Sequence, residues 1–149
     1  MPMPKSVTKI KKDGIEFISS VDRAQYTIQE LTRAALKDVA KLLRKRMIEE
    51  LKQLPGMKRH RRPYSSTQYW VRKRDCDLQI GVKHDSWYGV NQELGTKGMP
   101  KKGVIRETTF KHIDDIRRIE GQYLSAIEDE NRALGLIDEE EEFGDEEFA

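Results

Sequence analysis

Only one of the 149 residues is cysteine, Cys76, and only three are histidine, at 60, 84 and 112. A single thiol makes no internal disulfide, and histidines so scattered lack zinc-site spacing, so neither staple is expected to hold the fold. Long apolar runs are also missing. No uncharged apolar window reaches the roughly 18 residues of a membrane-spanning helix. The opening Met1-Pro2-Met3-Pro4-Lys5 has no apolar core of an export signal, and the expectation is a soluble, unexported chain with no membrane partner. Aromatic residues make up 7% and apolar residues 36%, no more than the 36% that are charged. That balance allows one modest core under a heavily charged surface. The length suits one domain, with an arm or hairpin over residues 1–18, a single domain over 19–137 and a tail over 138–149.

The net charge of +2 conceals a division. Residues 138–149 hold eight acidic side chains (Asp138, Glu139 to Glu142, Asp145, Glu146, Glu147) and no Lys or Arg, which leaves 28 basic against 18 acidic residues in the body. The run repels itself and has only Phe143 and Phe148 to bury, so it reads as a mobile or partner-ordered tail. Electrostatically, it suits resting on its own basic body, docking on a neighbouring subunit, or keeping DNA phosphates off the surface.

Along the body, Asp13-Gly14 separates two short segments that carry Val7, Ile10, Ile15 and Phe17, the pattern of a hairpin with a type I′ turn. Asp22 with Gln25 suggests a capping box. Ile28, Leu31, Ala35, Val39, Leu42, Leu43, Met47, Leu51 and Leu54 then recur at helical steps until Pro55-Gly56. A helix from Ala24 to Leu54 would be about 45 Å long, more than so small a core covers. Residues 57–66 read as an exposed basic loop. Strands are expected over 67–74 and 78–83 around an Asp75-Cys76-Asp77 turn, with 87–94 a third strand or a short helix. Helical spacing returns at Ile113, Ile116, Ile119, Tyr123, Leu124 and Ile127, with Asp114 and Asp115 near the start, Gly121 as a weak point and Leu134-Gly135 as the expected end. The fold class is therefore α+β: a long N-terminal helix packed on a small antiparallel sheet, then a C-terminal helix and the acidic tail.

Catalytic signatures are fragmentary. There is no Gly-x-Ser-x-Gly, no phosphate-cradling loop and no His-Glu-x-x-His. His84-Asp85 and His112 near Asp114 and Asp115 put imidazole beside carboxylate, but such neighbours are commoner in turns than in acid/base work. Cys76 has no nominated base. No catalytic residue, cofactor or metal is assigned, and the expectation is that the chain is not an enzyme. The basic residues form two clusters, Lys58, Arg59, Arg61 and Arg62, then Arg72, Lys73 and Arg74, interleaved with Tyr64, Tyr69 and Trp70. Such clusters bind phosphate backbones and stack bases, or else are a solvated loop and an exposed strand end.

Tyr88, then Glu93-Leu-Gly95-Thr96, then Met99-Pro100, then Val104-Ile105-Arg106 resembles the head-to-tail connector and tail-completion family of long-tailed bacteriophages. The order of elements around it looks similar too. That resemblance implies a virion structural protein without covalent chemistry, forming a homo-oligomeric ring at the phage neck or the top of the tail. It implies about six copies, with twelve as the alternative, made in the host cytoplasm, joined to neighbouring neck or tail proteins and in transient contact with passing DNA. Physically, Gly95 suits a positive φ or a close approach, Thr96 a bond to neighbouring backbone, and Glu93 either a pair with Arg106 of the same or the next subunit or simple solvation. The competing reading is a small basic nucleic-acid-binding protein.

Overall fold

The computed structural model describes residues 2–53, 67–82, 93–98 and 101–144, with backbone alone from 139 to 144. Strands β1 (Thr8–Lys12) and β2 (Ile15–Ser19) pair antiparallel with Lys12 opposite Ile15. Asp13 at φ 52° and Gly14 at φ 80° make the left-handed two-residue turn that Asp-Gly favours. Helix α1 follows, Val21–Gln53.

The start of α1 differs from the expected capping box. The Ser20 carbonyl accepts the Ala24 N–H at 3.0 Å, and Ser19 Oγ accepts the Val21 N–H at 3.3 Å. Ser19 and Ser20 thus do what Asp22 was expected to do, and Asp22 falls inside the first turn, where its charge suits the positive end of the helix. The buried stripe contains Leu31, Ala35, Val39, Leu43, Met47 and Leu51 as the spacing predicts, and adds Ala34 and Ala40. Ile28, expected on the stripe, remains 46% exposed.

Strands β3 (Thr67–Arg72) and β4 (Asp77–Val82) form a second hairpin, with Tyr69 opposite Ile80 and Val71 opposite Leu78. At the turn β3 is shorter than expected and β4 starts one residue earlier, because Arg72 already lies opposite Asp77 and the chain turns over residues 73–76. Most of the expected third segment of the meander, residues 87–92, lies outside the described residues, while Glu93 and Leu94 are helical.

After residue 103 an additional helix comes first, and the single helix expected from about residue 113 is broken into pieces. Helix α2 (Val104–Lys111) and helix α3 (Ile113–Ser125) meet at His112, whose φ of −108° and ψ of 19° are not helical. The imidazole Nδ1 lies 3.0 Å from the Thr108 carbonyl, so this ring serves the joint between helices. A 3₁₀ turn at Ala126–Glu128 leads to Asp129, extended at φ −125° and ψ 106°. Asp129 Oδ1 accepts the Asn131 N–H at 3.0 Å and caps a new helix, α4, Glu130–Gly144. Gly135 therefore does not end the helix, which runs on into the acidic run as far as Gly144. The last five residues lie outside the described residues.

The core lies on both halves of α1. Leu31, Ala34 and Ala35 pack with Tyr123, Ala126, Ala133 and Ile137, and Val39, Leu43 and Met47 pack against Leu78, Ile80, Ile105 and Ile116. Ile119 touches both groups and joins them. Alanines at 34, 35, 126 and 133 let helix backbones approach closely, and the Tyr123 hydroxyl donates to Asp38 Oδ2 at 2.8 Å, so a buried polar atom keeps a partner. None of the described helices is long and apolar enough to cross a membrane.

Gly121 and Gly135 sit inside helices at exposed positions with nothing within 4 Å of a would-be Cβ. Gly121→Ala and Gly135→Ala should each raise stability by roughly 0.5–1 kcal/mol, through helix propensity and a less flexible unfolded chain. Thermal melts check this, and a lowered midpoint would mean that those positions are covered.

Candidate functional site

The segment that carries the family resemblance is built around Glu93. Its backbone carbonyl accepts the Gly103 N–H at 3.2 Å, Oε2 accepts the Ile105 N–H at 3.0 Å and Oε1 accepts the Arg106 N–H at 3.2 Å. Gly103 is the N-cap of α2 and has no side chain with which to cap it. A carboxylate from ten residues upstream supplies the missing acceptors, at the end of the helix whose dipole favours negative charge. Glu93 is therefore neither a solvated carboxylate nor a partner of the Arg106 guanidinium within this chain. It holds the Arg106 backbone. The guanidinium itself lies 5.7 Å from the centroid of the Phe110 ring, a cation–π stack on the outer face of α2.

Gly95 makes this clamp possible. Its φ is +79°, and a Cβ there would meet the backbone nitrogen of Lys101 at 2.9 Å, so the chain needs both the left-handed conformation and the absent side chain. Thr96 is exposed and holds a single β-bridge position. The Glu-x-Gly-Thr segment and the Val-Ile-Arg step are thus bonded halves of one loop–helix junction. Tyr88 and Pro100 lie outside the described residues.

Of the basic candidates, Lys58, Arg59, Arg61 and Arg62 also lie outside them. Arg72 is already engaged. Its Nε donates to Asp77 Oδ1 at 2.6 Å, its Nη2 donates to Asp77 Oδ2, and Nη1 lies 3.0 Å from Asp75. The register that places Arg72 opposite Asp77 gives it a structural task across the hairpin, leaving Lys73 and Arg74 as the exposed cations of the turn. Sequence reading missed the other wall. Arg33 and Lys37, one turn apart on α1, line a groove of about 600 Å³ together with Trp70, Lys73 and Arg74. Their four-residue spacing was the available signal, but nothing in it says which strand they face. Trp70, on the outer face of β3, is 64% exposed.

Other candidates for chemistry dissolve on inspection of their surroundings. Cys76 occupies the hairpin turn at φ 48°, with Sγ 3.8 Å from the Lys73 carbonyl. His84 and Asp85 lie outside the described residues, and among those described no three His, Cys, Asp or Glu side chains gather as a metal site.

The N-terminal hairpin exposes several large apolar side chains. Cross-strand pairing puts Ile10, Ile15 and Phe17, exposed by 55%, 72% and 61%, on one face with Lys12, and Lys9, Lys11, Glu16 and Ile18 on the other. Among the described residues the sheet has only these two strands, so both are edges with backbone N–H and C=O groups facing outward.

Replacing Glu93 by Ala should cost about 1 kcal/mol, the usual worth of a helix cap, and Gly95→Val roughly 1–3 kcal/mol through strain and the Lys101 clash. Denaturant melts of both variants test this, and parental stability in either would show that the junction does not depend on that residue.

Acidification should weaken the fold at two defined places. The hydrogen bond from Arg72 holds the Asp77 carboxyl below its ordinary range, and the hydrogen bond from Lys111, 2.8 Å from Glu50, does the same for Glu50. A carboxyl depressed in the folded state stabilises above its unfolded pKa and loses that contribution as pH falls through its folded value. Melting temperature should therefore drop below about pH 4, less steeply in an Asp77→Asn, Glu50→Gln double variant. Equal slopes would show that neither pair contributes.

No protein-family model matches the chain, and neither a curated protein nor a solved structure matches it. The functional reading therefore rests on the residues and their geometry.

Proposed function

We propose that this chain is a virion structural protein that assembles as a ring at a bacteriophage neck or at the upper end of the tail, joining head and tail around the DNA channel. The observation that carries the reading is the N-terminal hairpin. An isolated two-stranded hairpin is marginal in water, and this one turns Ile10, Ile15 and Phe17 outward, each more than half exposed, with no described body element packed extensively on it. Burying each such side chain in an interface is worth about 1.5–3 kcal/mol. A chain that extends an apolar arm with two open strand edges is suited to docking on a neighbouring copy, and head-to-tail docking closes into rings. Leu94 at 69% and Phe110 at 61% exposure, beside the Glu93 junction, add a second apolar surface on the segment that resembles the phage family. In this role the chain catalyses nothing, and its chemistry is complementarity.

A second reading, a basic nucleic-acid-binding protein, is favoured by the groove in which exposed Trp70 stands among Arg33, Lys37, Lys73 and Arg74. An aromatic plane beside cations suits base stacking with phosphate neutralisation. The two readings separate by salt response: nucleic-acid affinity falls steeply with salt, whereas apolar ring contacts do not.

Native mass spectrometry of the purified chain, alone and with neck or tail proteins, tests the assembly. The expected result is a closed ring of about six copies, with twelve as the alternative. An Ile10→Asp, Phe17→Asp variant should be monomeric while its body melts as the parent does. A parent that stays monomeric under all conditions and never enters virions overturns the proposal.

A further inference from the structure

The acidic C-terminal run and a groove along the second half of α1 correspond in direction, reach, charge and apolar content. Helix α4 sets out beside the start of α1, where Glu130 Oε1 lies 2.6 Å from Arg23 Nε. Its Ala133 and Ile137 then pack with Leu31, Ala34 and Ala35. The two helices therefore run the same way, and α4 advances along α1 towards the second half of that helix. From Ile137 onward, twelve residues reach about 18 Å at helical rise and further if extended. Measured along α1 from Ala34, that distance ends near Arg46.

Further along α1 lies a groove of about 560 Å³ with Leu42, Ile48 and Ile119 among its apolar lining and Lys41, Lys45 and Lys52 among its cations. The lysines follow one another at steps of four and seven, which keeps them on one face of α1. Arg44 lines it too, so four cations stand against two acids, Asp38 and Glu49. The groove thus presents positive charge around an apolar lining. The run 138–149 has eight acids, no base and two phenylalanines.

We propose that this groove is the docking site of the chain's own C-terminal acidic segment, bound within the same molecule. The acidic charge meets the lysines, and the phenylalanines meet the apolar lining. Because much of the attraction is between solvent-facing charges, docking weakens as salt rises. While docked, the segment covers a cationic face of α1 that would otherwise attract polyanions, and once displaced it exposes that face. The docking does not depend on the proposed ring.

Chymotrypsin, which cleaves after Phe143 and Phe148, reads the docking directly when intact mass is followed over time. The reference is a synthetic peptide of residues 134–149. In the whole chain, cleavage should be slower than in the peptide and independent of protein concentration. It should accelerate on the order of fivefold or more, relative to the peptide, in high salt and in a Lys45→Glu, Lys52→Glu variant, since proteolysis tracks the undocked fraction. Both lysines are exposed, so the variant should keep the parental melting curve; the salt response of the parent serves as the independent measurement if it does not. Cleavage as fast as in the peptide, or indifferent to both salt and charge reversal, overturns the proposal. Protection that grows with protein concentration also overturns it, and assigns the groove to a neighbouring copy's tail.

Discussion

Everything in the body depends on one helix finding enough to bury. Helix α1 is 33 residues long and, among the described elements, is the only one that both the β3–β4 hairpin and all the C-terminal helices pack against. Its residues do this with modest material: alanines at 34, 35 and 40, one valine, three leucines and Met47 make up its buried apolar stripe. Small side chains trade buried area per residue for closeness of approach, so the chain must come back repeatedly to cover the length. It passes along α1 once as a hairpin, once as α3 against the direction of α1, and once as α4 along it. The breaks at His112 and Asp129 are what make those returns possible, because a single straight helix from Val104 onward would cover only one side of α1.

That explains which features could be read from the sequence. The long helix and the first hairpin follow from local rules: apolar spacing fixes the one and Asp-Gly the other, and the β3–β4 alternation likewise places Leu78 and Ile80 inward. The α+β class follows from those three. The joints did not declare themselves. His112 interrupts a helical pattern without Pro or Gly, and Asp129 caps α4 amid a run of other polar residues, so neither stands out locally. Gly135 pointed the wrong way: with open space around it, its cost is only propensity, and the packing of Ala133 and Ile137 outweighs that cost. The same limit applied to Glu93. As a residue type it suits an ion pair with Arg106 or simple solvation, but the unsatisfied N–H groups at the start of α2 compete for the same carboxylate, and they win because Gly103 offers no cap of its own.

Charge contributes little to holding this body together and much to what it presents. Among the described residues, several ion pairs, such as Arg46 with Glu49 and Arg117 with Asp114, join residues three apart on one helix with both partners exposed. Pairs of that kind are worth a few tenths of a kcal/mol. Those that tie separate segments are few, and each closes a specific junction: Arg23 with Glu130 at the start of α4, Lys111 with Glu50 at the end of α2, Arg72 with Asp77 across the hairpin. Cations line two grooves, one under Trp70 and one along the second half of α1, while eight of the acids fall in the last twelve residues.

A chain organised this way leaves its strongest unmet demands at its two ends. At the N-terminus the demand is apolar and directional: three large side chains on one hairpin face, with hydrogen-bonding edges on both sides, call for a surface that supplies both. At the C-terminus the demand is electrostatic and short in reach, and a cationic groove lies in its path on the same molecule. Different forces govern the two ends, so they respond differently to conditions. Apolar contacts made by the arm persist as salt rises, whereas contacts made by the acidic run weaken. A subunit that assembles as proposed would benefit from that separation, since its arm would engage a neighbour irrespective of ionic conditions while its cationic face is covered or exposed by them.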